Sequence, residues 1–280
     1  MLKGPSLPLL RVATPIIFVL SLLLFSVPSA FAATHATTQA TMVGPMANYL
    51  AVGDSLAYGY QPNLNYSHGY ADDFYANLKS HGATSYANMA CPGETTTSMI
   101  NGGCTYSVLR KYVYTGSQLN AAISYLRSHA GTVSPVTLDI GANDMLHDIN
   151  TSTCTISSTW DSDLATMDAN LTQVILPKLT AAMTVNGQRS GDLLLMNYYD
   201  PYQNICPTMV SYSQEINQHL AADASGYATV VDVFTPFGGA ATPNPNTCNY
   251  TWMCSIFKDI HATSTGYSVM ANAFEQTAGY

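Results

Sequence analysis

Charge is scarce in this sequence. Only 9% of its 280 residues are Asp, Glu, Lys or Arg, so ion-pair networks contribute little to its stability. Cations are scarcer still: 9 Lys and Arg stand against 17 Asp and Glu, a formal net charge of −8. Such a chain is a poor partner for nucleic acid or for an anionic membrane surface, and neither is expected. Metal-type spacing is missing as well. Neither C-x-x-C nor H-E-x-x-H occurs, and His35, His68, His81, His129, His147 and His219 follow no comparable pattern. There is no internal repeat, no low-complexity block and no convincing domain linker.

Long apolar runs are limited to one. Lys3 and Arg11 precede an apolar stretch from about Ile16 to Val27, and Ala30-Phe31-Ala32 supplies small residues where a signal peptidase reads. That three-part pattern is a secretory signal over residues 1–32. The run falls short of the roughly 20 residues a spanning helix needs, so cleavage and secretion are expected rather than a stable membrane anchor. Removal of residues 1–32 leaves 280 − 32 = 248 residues and a charge of 7 − 17 = −10. Residues 33–46, rich in Ala and Thr, read as a flexible lead-in to a domain over 47–280.

Six cysteines remain: Cys91, Cys104, Cys154, Cys206, Cys248 and Cys254. An even number in an exported chain predicts disulfides. Sequential pairing is expected, Cys91–Cys104, Cys154–Cys206 and Cys248–Cys254. Four N-x-[ST] sequons start at Asn65, Asn150, Asn170 and Asn249; they matter only in a host that glycosylates exported proteins.

Short apolar runs alternate with helical patterns over the rest of the chain. Strands are predicted at Tyr49–Val52, Ser85–Met89, Val136–Ile140, Leu193–Met196 and Thr229–Val233. Helical stripes run through Leu119, Ile123 and Leu126; through Trp160, Leu164, Met167 and Leu171; through Met209, Tyr212, Ile216 and Leu220; and through Tyr267, Met270 and Phe274. Pro177 is expected to kink or end the second of these, and Thr263 or Ser264 to cap the last. Alternation of this kind implies an α/β fold with a parallel sheet of about five strands covered on both faces.

Ligands bind beyond the carboxyl ends of such strands. Ser55 follows the first strand, Gly93 the second and Asn143 the third, and His261 precedes the last helix. A serine hydroxyl needs a base to become a nucleophile. His261 supplies one, and Asp259 is the nearest carboxylate able to fix its tautomer. The backbone N–H groups of Ser55 and Gly93, with the Asn143 amide, offer three donors for an oxyanion. Asp54 and Asp144 read as structural. Tyr58, Tyr60, Tyr66 and Tyr70 either line a pocket or pack at the surface.

Gly53-Asp54-Ser55, the segment Asn88-Met89-Ala90-Cys91-Pro92-Gly93, Gly141-Ala142-Asn143-Asp144 and Asp259-Ile260-His261 together resemble the four blocks of the GDSL, or SGNH, hydrolases. The resemblance covers most of the chain after Tyr49. It implies a three-layer α/β/α, flavodoxin-like fold, a nucleophile at Ser55, a base at His261, and an oxyanion hole from Ser55, Gly93 and Asn143. It also implies no metal or organic cofactor. The family usually sets its aspartate three residues before the histidine. Lys258 stands there in this chain, and the carboxylate is one residue later, at Asp259. A backbone carbonyl near Lys258 is the alternative support for His261.

A secreted, monomeric serine esterase acting on lipid or other small-molecule esters is the function this pattern predicts. Carbohydrate acetyl esterase is the alternative within the same chemistry, and a non-catalytic exported binding module the alternative outside it.

Overall fold

A computed structural model describes Met1, Gly4 and residues 42–280. The signal expected at 1–32, these two residues apart, and the lead-in up to residue 41 lie outside the described residues. Residues 42–46 are tied to the domain: Val43 and Gly44 donate their N–H groups to the Asp192 carboxylate at 2.8 and 2.9 Å, and the Met46 N–H donates to the Ser134 carbonyl at 2.9 Å.

The apolar run Tyr49-Leu50-Ala51-Val52 is fully buried within strand β1, Asn48–Gly53. It is followed by β2, Ser85–Asn88, and β3, Val133–Asp139. Two small antiparallel pairs come next, β4 (Ile149–Asn150) with β5 (Thr155–Ile156) and β6 (Thr184–Val185) with β7 (Gln188–Arg189). Strands β8, Leu193–Met196, and β9, Thr229–Val231, complete the set. The central sheet is parallel, in the order β2-β1-β3-β8-β9.

Leu193–Met196 coincides with its predicted strand, and the others shift by one to three residues. The largest shift is at β3, which begins at Val133 and runs through Pro135. Proline has no N–H for the ladder, so it is tolerated in a strand where pairing is already irregular. The β1–β3 register slips at that point, from Asn48 opposite Val133 to Leu50 opposite Val136.

Parallel strands need crossover helices, and right-handed crossovers decide their faces. The chain leaves β1 toward β2, then returns past β1 to β3, so the winding reverses between β1 and β3. Helices Tyr70–Leu78 and Ser264–Ala278 pack together on one face, where Tyr70 stacks on Phe274 with ring centroids 4.7 Å apart. Gln118–Ser128 and Leu176–Ala182 pack against each other in a second layer. Thr263 caps the last helix, its hydroxyl oxygen accepting from the Gly266 N–H at 3.2 Å. Pro177 does not stop its helix. A wide, π-type turn at Leu171–Ile175 joins Trp160–Asn170 to Leu176–Ala182, and Pro177 falls in the first turn of the latter. The expected break is absorbed because a first-turn proline forfeits no intrahelical bond.

Candidate active site

The reversal between β1 and β3 opens a crevice at the carboxyl edge of the sheet. Ser55 sits on its β1 side, at the start of the short helix Ser55–Tyr58. Asp54 caps that helix, its carboxylate accepting from the Leu56 N–H at 2.9 Å. Gly53 makes the turn into it with φ +140°, and a Cβ there would run into the Asp139 backbone and carboxyl. Only glycine therefore fits between the strand and the serine.

His261 reaches the serine from the loop before the last helix. Its Nε2 is 2.8 Å from Ser55 Oγ, and its Nδ1 is 2.6 Å from Asp259 Oδ1. The same carboxylate oxygen accepts the His261 backbone N–H at 2.8 Å. This is an Asx turn, in which an aspartate closes on the N–H two residues on. It explains how a carboxylate two residues before the histidine reaches its ring: Lys258, at φ +50°, turns the chain first. Partial burial pushes Asp259 up, but the hydrogen bonds and charge of His261 hold it below the ordinary carboxylate value. The loop is fixed by the Tyr199 hydroxyl donating to the Ile260 carbonyl at 2.7 Å and by the Trp252 N–H donating to the His261 carbonyl at 3.0 Å. Tyr60 packs on the imidazole with ring centroids 4.5 Å apart.

Gly93, at φ +79°, faces the Tyr106 ring. Among the described residues, neither the Ser55 nor the Gly93 N–H donates to a protein acceptor. The Asn143 side chain donates from Nδ2 to the Glu94 carbonyl at 2.9 Å and lies 3.3 Å from Asp54 Oδ2. The crevice thus gathers a hydroxyl on a histidine, a carboxylate behind that histidine, two open N–H groups and a positioned amide. Such a set can attack a carbonyl and hold the negative charge that results.

Three polar residues behind the site were not singled out in the sequence. Gln118, buried at the start of its helix, clasps Gly53: its Oε1 accepts the Gly53 N–H at 2.6 Å and its Nε2 donates to the Gly53 carbonyl at 2.9 Å. The same Nε2 donates to Glu94 Oε2 at 2.9 Å, so one chain of bonds joins the Ser55 turn to the Gly93 loop and Asn143. Asp139, at the end of β3, accepts the Tyr70 hydroxyl at 2.7 Å and the Ala57 N–H at 3.2 Å. Burial, then the neighbouring Asp54, pushes Asp139 well above the ordinary carboxylate value. Asp139 is the one charged residue in a wholly buried strand, and a carboxylate closing such a run is a visible anomaly in sequence; Glu94 and Gln118 carry no such signal.

Burial pushes Glu94 up to about 7 from 4.5. Between those values the folded chain keeps a proton that the unfolded chain releases, so this group's contribution to stability falls as pH rises through the window. Glu94→Gln cannot titrate, and its melting temperature is expected to lose that part of the pH dependence. Gln118→Ala strands the buried Gly53 N–H and is expected to cost roughly 1–3 kcal/mol in urea unfolding.

The other candidates lie apart. His68 and His147 are exposed beside Asp73 and Asp163. Asp144 accepts the Thr96 N–H at 2.9 Å, tying the Asn143 segment to the Gly93 loop. Of the four early tyrosines, Tyr60 and Tyr66 line the crevice, whereas Tyr58 and Tyr70 are buried.

Beside Ser55 the crevice deepens into a cavity of about 470 Å³. Leu109, Met145, Ile149, Trp160, Met209 and Ile216 are among its walls, and its acidic lining residues are Asp54, Asp200 and Asp259, with no Lys or Arg among those described. The chain's three disulfides are Cys91–Cys104, Cys154–Cys206 and Cys248–Cys254, and each has a cysteine within five residues in sequence of one that lines the cavity.

Residues 51–269 match the model of the GDSL-like lipase/acylhydrolase family. No curated protein matches the chain in sequence. Among solved structures, the chain is similar to an acetylxylan esterase from Geobacillus stearothermophilus, at 15% identity and a TM-score of 0.57, over 85% of this chain and 97% of that one. It is likewise similar to a lipase from a goat rumen metagenome, at 16% identity and a TM-score of 0.57, over 83% of this chain and 97% of that one. At these identities the likeness is one of fold.

Proposed function

The chain belongs to the GDSL-like lipase/acylhydrolase family, and from that premise we propose that it is a secreted serine esterase acting on neutral carboxylic esters with an apolar acyl chain. The observation that carries this reading is the alignment of Ser55 Oγ, His261 and Asp259 through contacts of 2.8 and 2.6 Å. Ser55 Oγ attacks the ester carbonyl carbon while His261 Nε2 takes its proton. The Ser55 and Gly93 N–H groups and the Asn143 amide hold the tetrahedral oxyanion. His261 then returns the proton to the departing alkoxide, leaving an acyl-serine. Water, deprotonated by His261, releases the acid and restores the serine. Asp259 fixes the imidazole tautomer and stabilises the imidazolium.

The cavity supports the acyl preference. A volume of about 470 Å³ walled by Trp, Leu, Ile and Met exceeds what an acetyl group needs. Its lack of cationic lining disfavours anionic substrates. For secretion, the support is the three disulfides, since such bonds form and persist in oxidising compartments.

A nitrophenyl ester series tests the reading. Each methylene buried should contribute about 0.8 kcal/mol, or roughly fourfold in kcat/KM, until the cavity is filled. The expected profile therefore rises from acetate through medium chains, and Ile216→Trp moves its maximum to shorter ones. A maximum at acetate would favour the acetyl-esterase alternative. No hydrolysis of any ester would leave only the binding-module alternative.

A further inference from the structure

Exposed apolar side chains are ordinary when scattered singly, but here they gather. Among the described residues ten large apolar side chains are exposed: Met1, Val43, Leu64, Tyr106, Val108, Tyr112, Val113, Ile205, Ile256 and Phe257. Seven of the ten either line the catalytic cavity or lie within three residues of a residue that does; only Met1, Val43 and Val113 do not. They come from four separate segments, each of which also supplies residues to the cavity wall. Val108 and Ile256 are 91% and 92% exposed, Leu64 70% and Ile205 54%.

The disulfides follow the same loops. Cys104 precedes Tyr106 and Val108, Cys206 follows Ile205, and Cys254 precedes Ile256 and Phe257. Each bond pins one apolar tip at its base. Trp252 props the third loop by an edge-on contact with Phe257, ring centroids 5.6 Å apart.

We propose that this stapled rim is a docking face for the surface of an aggregated neutral ester, such as a lipid-ester droplet, and that the substrate is drawn from that surface into the cavity. The proposal rests on the esterase reading, because the rim surrounds the opening through which the scissile ester must pass. Charge selects the occupant. The chain's formal net charge is −8, and the cavity lining holds Asp54, Asp200 and Asp259 without a Lys or Arg; of the basic residues beside the tips, Lys111 is paired with Asp72 at 2.8 Å and Arg110 lies over the Tyr114 ring, which leaves Lys258. An anionic surface is therefore repelled, and a neutral one satisfies the apolar tips at no electrostatic cost.

Ser55→Ala protein, which cannot consume the ester, is mixed with a triolein emulsion and floated by centrifugation. It is expected to rise with the droplets, and the same protein carrying Val108→Ser, Ile205→Ser and Ile256→Ser to rise at least tenfold less. On the active background, the triple variant is expected to keep its kcat/KM on nitrophenyl acetate below its solubility limit. On emulsified tributyrin it is expected to lose at least tenfold. Equal flotation of the two proteins overturns the proposal. So does tighter binding to phosphatidylglycerol vesicles, or a dimer in sedimentation that the triple variant abolishes, which would make the rim an interface between copies. Failure to hydrolyse soluble esters sinks the esterase reading instead and leaves the flotation result standing by itself.

Discussion

Ser55→Ala is expected to lower kcat on a soluble ester on the order of 10⁶-fold. Where nucleophile, base and orienting carboxylate act as one unit, removal of the nucleophile alone costs about as much as removal of all three. The role proposed for Ser55 rests on its neighbours. The Gly53 turn presents it, Asp54 caps the helix beneath it, and His261 Nε2 lies 2.8 Å from its oxygen. Loss of one oxygen leaves the apolar walls intact, so ester binding is expected to survive. Trp160 lines the cavity, and its fluorescence offers a binding readout independent of turnover. A variant that binds but does not turn over assigns Ser55 to the chemistry. A variant retaining activity within tenfold of wild type places the nucleophile elsewhere.

The fold was legible where local pattern and tertiary demand agree. Tyr49–Val52 and Leu193–Met196 are uninterrupted apolar runs, and a strand buried on both faces needs nothing else. Val133–Asp139 was readable only from Val136 onward, because Pro135 argues against a strand unless a register slip is known in advance. Helix Tyr70–Leu78 went unread: its acidic first turn, Asp72 and Asp73, and its early tyrosines resemble a surface loop until Tyr70 is seen stacked under Phe274. At the site, Ser55, Gly93, Asn143 and His261 could be assigned to one edge because each follows a strand or precedes a helix. The supporting shell could not be read in that way. Gln118 meets Gly53 across 65 positions, and an isolated glutamine beside Leu119 looks like any polar residue on a helix flank. Long-range hydrogen bonds between single polar side chains leave no periodic trace.

Asp259 carries the second large effect, and the geometry predicts an order among its variants. A single oxygen, Oδ1, accepts both the His261 N–H at 2.8 Å and the His261 Nδ1 at 2.6 Å. In Asp259→Asn the backbone N–H still requires an acceptor, so the amide oxygen takes that place and keeps Nδ1 as the protonated nitrogen. Tautomer and ring orientation survive, and only the charge behind the imidazolium is lost. A hydrogen bond to a charged group contributes about 1.5–3 kcal/mol, so kcat is expected to fall roughly 10- to 100-fold. Asp259→Ala removes the acceptor altogether and is expected to cost on the order of 10⁴-fold. The opposite ranking would mean that the amide has flipped and donates to Nδ1, leaving Nε2 protonated and unable to receive the Ser55 proton. Near-normal rates in both variants would transfer the orienting role to a backbone carbonyl near Lys258. Because His261 holds Asp259 below the ordinary carboxylate value, the wild-type advantage over Asp259→Asn should persist at more acid pH than a free aspartate would allow. It is then lost as pH falls through that lowered value, which a kcat profile of the two proteins measures directly.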